Sequence, residues 1–334
     1  SLSQWPASNP VSDFALPLLN SITNACTSQT FPVQVKKTYA LIHFELSYFG
    51  PTGIEYNLIR TPIGGCDFST HVYTYNDYPE EDKYLSNFSL IPMIQEALKA
   101  SKGNVEIMGS CWSPPIWMKT NKNITGRGFL LPEYFQTFAD YHLKYIEAYA
   151  EEGIPIWSVT TTNEPFNGLG TNIPFNTLGW TPQSFGEWIS KNLGPTLRKS
   201  PYDVKIICGD DQRYHLPLWF TKMVEDVPES LQYVDGIGVH WYGNSLSPSS
   251  LLRYVNYKHP DKYIIGTEAC EGRRTTDLWW RVLSGNGHFS ANIMMIINMA
   301  GNLGELDIVK LFFFYAIGAH VLRLSQLSKW KPRA

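Results

Sequence analysis

Two apolar stretches of the 334-residue chain each run into a glutamate. Residues 154–164 read Ile-Pro-Ile-Trp-Ser-Val-Thr-Thr-Thr-Asn-Glu and meet Pro165; residues 263–268 read Tyr-Ile-Ile-Gly-Thr-Glu. A facing pair of carboxyl groups, here Glu164 and Glu268, is what hydrolysis of a glycosidic bond requires. One protonates the leaving oxygen while the other attacks the anomeric carbon or activates water. Asn163 sets an amide beside the first carboxyl, and Trp and Tyr nearby offer faces suited to a sugar ring. The competing reading of either position alone is an ordinary strand-to-loop turn with a solvated glutamate.

The surrounding pattern decides what could position such a pair. In 154–164, Ile156, Ser158 and Thr160 alternate with Trp157, Val159 and Thr161, which suits an extended chain, and Pro165 has no amide hydrogen to continue it. The strand is therefore expected to end at that proline. Further strand-like segments lie at 53–62, ending near Arg60, and at 104–109, 204–211, 234–242 and 263–270. Between them, 91–100, 133–152, 182–193 and 215–226 carry helical spacing. Six strands alternating with helices predict parallel βα units. Polar and aromatic residues at the strand ends favour part of a (β/α)8 barrel of the TIM type over an open sheet, with chemistry at the strands' carboxyl ends. No glycine-rich phosphate loop follows the first strand, which argues against dinucleotide binding.

Composition narrows the partners. A net charge of −3 provides no basic field for nucleic acid. Fourteen per cent of the residues are aromatic, with eleven Trp, which fits either sugar platforms or a large core. The five cysteines are widely spaced, odd in number and without a Cys-x-x-Cys pair, so neither a zinc site nor a dense disulfide framework is expected. Sequons at Asn87 and Asn123 would be glycosylated only along a secretory route. No signal peptide is visible, and the chain begins without Met. The apolar run 311–319 is far shorter than the roughly 20 residues of a membrane-spanning helix, so no transmembrane span is expected.

Together, Thr162-Asn163-Glu164-Pro165, His240-Trp241-Tyr242 and Thr267-Glu268-Ala269-Cys270-Glu271-Gly272 resemble the glucosylceramidases of glycoside hydrolase family 30. Arg60-Thr61-Pro62, Cys66-Asp67-Phe68-Ser69, the run from Trp112 to Asn121, Leu193-Gly194-Pro195 and Asp210-Asp211-Gln212-Arg213 match as well. The resemblance spans roughly residues 45–290. It implies that Glu164, after the fourth barrel strand, is the acid/base, and that Glu268, after the seventh, is the nucleophile of a retaining double displacement. Asn163 would bond the sugar's 2-hydroxyl, Asp67 and Trp112 its far edge, and Tyr242 would lie near Glu268. Phe68 and Phe175 resemble entrance aromatics. Arg60 and His240 would orient the carboxyl groups, with Arg60 favouring a charged Glu268. Cys66 and Cys270 match free cysteines. The resemblance further implies glucosylceramide as substrate, no metal or organic cofactor, a lysosomal or secreted location, and help from a saposin-type activator at an anionic membrane surface.

Two departures stand beside it. Residues 1–38 carry no Gly-Phe-Gly-Gly element of a first strand, and Met299–Gly304 stand where a Gly-Trp-Thr-Asp-Trp-Asn element would mark the eighth. Strands two to seven are therefore expected within a partial barrel at 39–290, between an irregular segment at 1–38 and a divergent apolar tail at 291–334. No counterpart of the family's β-sandwich domain is expected. An inactive remnant or isoform that at most binds a glycoside or a partner is the alternative to an active enzyme.

Overall fold

The computed structural model describes residues 48–51, 53, 55–67, 69, 71–77 and 90–269. These fall into two compact units, 48–57 with 92–105, and 58–91 with 106–269. In the first, Tyr48 and Tyr56 stack at 5.8 Å, and most of helix α1 (Ile91–Ala100) lies there.

The second unit holds six strands: β1 (Leu58–Pro62), β2 (Glu106–Ser110), β3 (Ile156–Thr160), β4 (Lys205–Gln212), β5 (Gly236–His240) and β6 (Tyr263–Glu268). Every neighbouring pair is parallel, and the order across the sheet is the order in the chain. A sequential parallel sheet needs a crossover between each pair of strands, and this is the arrangement of a TIM-type barrel, incomplete over the described residues. Leu58, Met108, Ile207 and Ile265 from four of the strands meet in one buried cluster, with Trp157 packed against it.

The crossovers follow the apolar periodicity. Helix α2 (Phe135–Glu151) buries Phe138, Tyr141, His142, Tyr145 and Tyr149, a stripe at helical spacing. Helix α3 (Pro182–Trp188) opens on a capping box between Thr181 and Ser184 with Pro182 at its first position. The single helix expected over 182–193 instead runs through a π-helical turn (Ile189–Leu193) into α4 (Gly194–Lys199). Pro195 explains the break, because it cannot donate to residue 191 and its ring would meet that carbonyl. A π turn also precedes α5 (Thr221–Asp226), over Leu216–Phe220, with Pro217 in its first positions, where no backbone donor is needed. A last helix, α6 (Ser250–Lys258), was not marked by the sequence pattern, since only Leu252 and Val255 of it are buried.

The expectation that β3 runs to Pro165 is corrected. Regular pairing stops at Thr160, and three of the next four residues donate to one neighbour or the other. Thr161 N–H donates to Ile207 O (3.0 Å), Asn163 N–H to Cys111 O (2.9 Å) and Glu164 N–H to Asp210 O (3.0 Å). The polar end of this segment is thus pinned from two sides while no longer obeying strand periodicity.

A buried ammonium fastens the loops above the sheet. Lys119 is fully buried, and its Nζ donates to Ser113 Oγ (3.1 Å), Ile124 O (3.0 Å) and Thr177 O (2.6 Å). Burial pushes this amine down to about 7. An unfolded lysine stays protonated to about 10.4, so between these values the unfolded chain binds more protons, and this group's contribution to stability rises with pH. Lys119→Met leaves three acceptors unbonded at every pH but has no charge to bury. Its melting temperature should fall below that of the unsubstituted protein, with a gap that widens from pH 5.5 to pH 9 in calorimetry.

Candidate active site

The functional side chains gather at the carboxyl ends of the strands, and irregular backbone aims two of them. Asp210 is an extra residue in β4, because Gly209 pairs with Gly238 and Asp211 with Val239. It adopts φ +53°, and Glu164 adopts φ +41°. Non-glycine residues in the left-handed region cost about 1–3 kcal/mol and gather where geometry serves a site; a bulge re-aims its side chain in the same way. The bulge also needs Gly238, where a Cβ would lie 2.9 Å from Thr267 Oγ1 and 3.1 Å from Asp210 Cα.

Arg60, at the middle of β1, is the hub. Its Nη1 donates to Glu268 Oε2 (2.7 Å), and its Nη2 to Asp210 Oδ2 (2.7 Å), Asn163 Oδ1 (2.7 Å) and Ser110 Oγ (2.9 Å). Its guanidinium carbon sits 4.7 Å from the ring centroid of buried Trp112. Burial by itself would lower the arginine's proton affinity, but the Asp210 and Glu268 carboxylates outweigh it and hold the group charged. Asp210, buried too, is held well below the usual carboxylate range by Arg60 and then by His240, against the opposing effect of its burial.

His240, at the end of β5, lies between two carboxyl groups. Nε2 meets Asp210 Oδ1 at 3.1 Å and Nδ1 meets Glu164 Oε1 at 2.9 Å. Burial disfavours its charge, yet the Glu268 charge and the two hydrogen-bonded carboxyls raise its proton affinity well above the ordinary value. The imidazolium therefore donates from both nitrogens. Glu268 receives a second donor, the Tyr242 hydroxyl at 2.7 Å on Oε1. Glu164 is raised above the usual range by burial, against the opposing effect of His240. Its Oε1 also accepts from Gln212 Nε2 (2.6 Å), and its Oε2 accepts from Asn167 Nδ2. Gln212 Oε1 in turn accepts from Gly243 N–H (3.0 Å), beside Tyr242.

The two glutamates are consequently joined by two routes. One passes through Arg60, Asp210 and His240; the other passes through Tyr242, Gly243 and Gln212. Along the first route, positive and negative groups alternate in a nearly dry interior, where each charge is satisfied by its neighbours.

Of the residues singled out from sequence, the structure brings together Arg60, Trp112, Asn163, Glu164, His240, Tyr242 and Glu268. Asp67 lies within electrostatic reach of both glutamates. Crowding on its inner side, then the Glu268 charge, push its carboxyl up to about 7, although the residue is open enough to solvent to temper that push. Phe175 sits half-buried on the loop whose Asn176 Nδ2 donates to Gly65 O (3.0 Å) and Tyr73 O (3.1 Å), on the segments flanking Asp67. Asn123 is exposed in a turn where Thr125 N–H donates to its Oδ1 (3.2 Å). Phe68, Asn87 and Cys270 lie outside the described residues; Cys66 is buried, and Cys111 and Cys208 are buried free thiols. Among the described residues, no cluster of His, Cys, Asp or Glu has the makings of a metal site, and no helix is long and apolar enough to cross a membrane.

Sequence reasoning gave no role to Asp210, Gln212, Ser110 or Asn167. The first two stood in the noted Asp-Asp-Gln-Arg element, and the signal was there: a polar run closing a buried strand has to find partners inside. Nothing in the local sequence marks Ser110 or Asn167.

A sequential parallel sheet with two linked carboxyl groups at its carboxyl edge defines a TIM-barrel protein of the paired-carboxylate kind. Residues 23–299 match the glycosyl hydrolase family 30 TIM-barrel domain, and the chain belongs to that family. It is 44% identical over 241 residues to the lysosomal acid glucosylceramidase of Mus musculus, a match covering 68% of this chain and 46% of the relative. The chain thus spans about half the length of the curated relatives it matches. Among solved structures it resembles an endo-β1,6-glucanase (TM-score 0.62, 26% identity, 74% of this chain and 59% of that one). It also resembles SrfJ of Salmonella typhimurium (TM-score 0.63, 25% identity, 78% and 58%).

Proposed function

We propose that the chain is a retaining β-glucosidase that cleaves the β-glucosyl bond of glucosylceramide, releasing glucose and ceramide. The observation that carries the reading is the unequal surroundings of the two glutamates. Glu268 takes its donors from a permanent cation and a phenol, as suits a nucleophilic carboxylate. Burial favours the protonated form of Glu164, as suits a general acid. In the first step the Glu164 proton passes to the glycosidic oxygen, a Glu268 oxygen bonds the anomeric carbon, and the bond to the departing alcohol breaks. In the second, Glu164 takes a proton from water as its oxygen attacks that carbon, and Glu268 leaves as a carboxylate. Arg60 occupies the Asn163 carbonyl oxygen, which orients the Nδ2 hydrogens for the sugar's 2-hydroxyl. Asp67, Trp112 and Phe175 would hold the sugar's far edge and the entrance.

The choice of glucosylceramide rests on the 44% identity to the mouse enzyme of that name; the glucanase likeness makes a β1,6-glucan the comparison substrate. With the lipid substrate go a role in sphingolipid metabolism, a lysosomal setting, glycosylation at Asn87 and Asn123, a saposin-type activator and an anionic membrane surface. A non-catalytic glycoside-binding chain is the second reading, favoured by Met299–Gly304, which lack the tryptophan element of the family.

A cyclitol epoxide that esterifies retaining β-glucosidase nucleophiles separates the two. Incubation should add one epoxide per chain, mapped by peptide mass to Glu268. Protein that is folded by circular dichroism yet remains unlabelled would sink the enzyme reading.

A further inference from the structure

The bonds around Glu164 dictate where its proton can sit. Oε1 already accepts from Gln212 Nε2 at 2.6 Å and from His240 Nδ1 at 2.9 Å. Gln212 cannot be reversed, because its oxygen is held by Gly243 N–H. His240, bonded on one side to Asp210 and on the other to Glu164, donates from both nitrogens as an imidazolium. With the ring charged, a proton added to Glu164 rides on Oε2. The described partner of Oε2 is the Asn167 carboxamide, three residues on, whose backbone N–H is tied to Glu164 O at 2.9 Å. As placed, Asn167 donates from Nδ2 and so suits the carboxylate. A carboxamide turned by half a rotation presents Oδ1 instead and suits the acid.

We propose that Asn167 is a positioning residue that follows the proton on Glu164, donating to the carboxylate and, after its amide turns, accepting from the carboxylic acid. Resting on the glycosidase reading, the inference gives this residue a task in each half of the reaction. With the acid form, Asn167 holds the Oε2 proton in place until a departing alcohol takes it. With the base form, it steadies the oxygen that receives the proton of water. Of the two bonds, the one to the charged carboxylate is the stronger, so Asn167 keeps the proton affinity of Glu164 lower than burial alone would set it.

Other titratable groups face Glu164 from every side: His240 on β5, Asp210 and Asp211 on β4, Glu268 on β6, Asp67 after β1 and Tyr214 after β4. All of them remain in the Asn167 variants, so a change in midpoint isolates the amide.

The test reads Glu164 directly, by carboxyl ¹³C chemical shifts in glutamate-labelled protein, with Glu164→Gln to identify the resonance. Asn167→Ala should raise the Glu164 midpoint by about one pH unit, the equivalent of one charge-assisted hydrogen bond. Asn167→Asp should raise it further, by adding a like charge. An unchanged midpoint in folded Asn167→Ala overturns the proposal. A kinetic arm compares aryl β-glucosides with poor and with activated leaving groups. Asn167→Ala should move the alkaline limb of kcat/KM upward for the poor leaving group, which needs the acid, and leave the activated one in place. Equal losses on both would mark a merely structural residue. Should the unsubstituted chain hydrolyse neither glucoside, the glycosidase reading fails, and the ¹³C titration still decides whether Asn167 governs the Glu164 proton.

Discussion

Glu268→Gln is expected to lower β-glucoside turnover by about 10⁴-fold or more, for every leaving group alike. The amide nitrogen of Gln has no free electron pair to form the glycosyl bond, and its oxygen is a far weaker nucleophile than a carboxylate. Glu164→Gln should behave differently. With a poor leaving group, the lost protonation costs about 10²–10⁴-fold. With an activated aryl glucoside, the first step needs no acid, so the sugar loads onto Glu268 and waits there for lack of a base. A burst of phenol equal to the chain concentration should precede a slow steady rate. Azide, a small anion that needs no deprotonation, should speed that rate and release a β-glucosyl azide. Stopped-flow absorbance and product analysis check both points. A leaving-group dependence seen for Glu268→Gln and missing for Glu164→Gln would interchange the two assigned roles.

Much of the fold was legible because parallel barrel strands are apolar on both faces and end abruptly in polar residues. Residues 204–211 and 263–270 announce themselves as strands in this way, and they lie within a residue or two of β4 and β6. The same rule failed just past β3. Thr161 to Glu164 keep the residue types of a strand, but Glu164 adopts φ +41° and bonds Asp210 at the bulge of β4, a partner set by the sheet and invisible in the segment. In the site, Glu164 and Glu268 could be read because carboxyls at strand ends are conspicuous. Asn167 could not, because its importance lies in which oxygen of Glu164 remains after Gln212 and His240 have taken the other. Asp210 was quoted in a motif but given no task, since its task comes from a bulge that turns it toward Arg60 and His240. Residues that hold other residues are defined by geometry, and sequence carries only their type.

Arg60→Met should destabilise the chain by about 3–5 kcal/mol at pH 7, the cost of leaving a buried carboxylate without its cation. The guanidinium serves Glu268, Asp210, Asn163 and Ser110 at once, so its removal strands acceptors on four elements. Asp210 carries most of the pH dependence. Its folded proton affinity is held well below the unfolded value of about 3.9, so the stability it gains from Arg60 is fully present above that value and fades as pH falls through and below it. In Arg60→Met much of that depression is lost. The difference in urea midpoint between the two proteins should therefore stay wide from neutral pH down to about 4 and narrow as pH falls below it. Arg60→Lys restores a charge but not the planar fork, and one ammonium cannot reach both Glu268 and Asp210 with the same geometry. It should recover much of the stability and little of the turnover, because Glu268 and Asn163 would lose their shared anchor. If Arg60→Met proved as stable as the unsubstituted protein at pH 7, the alternating charges between the glutamates could not be what holds this end of the sheet together.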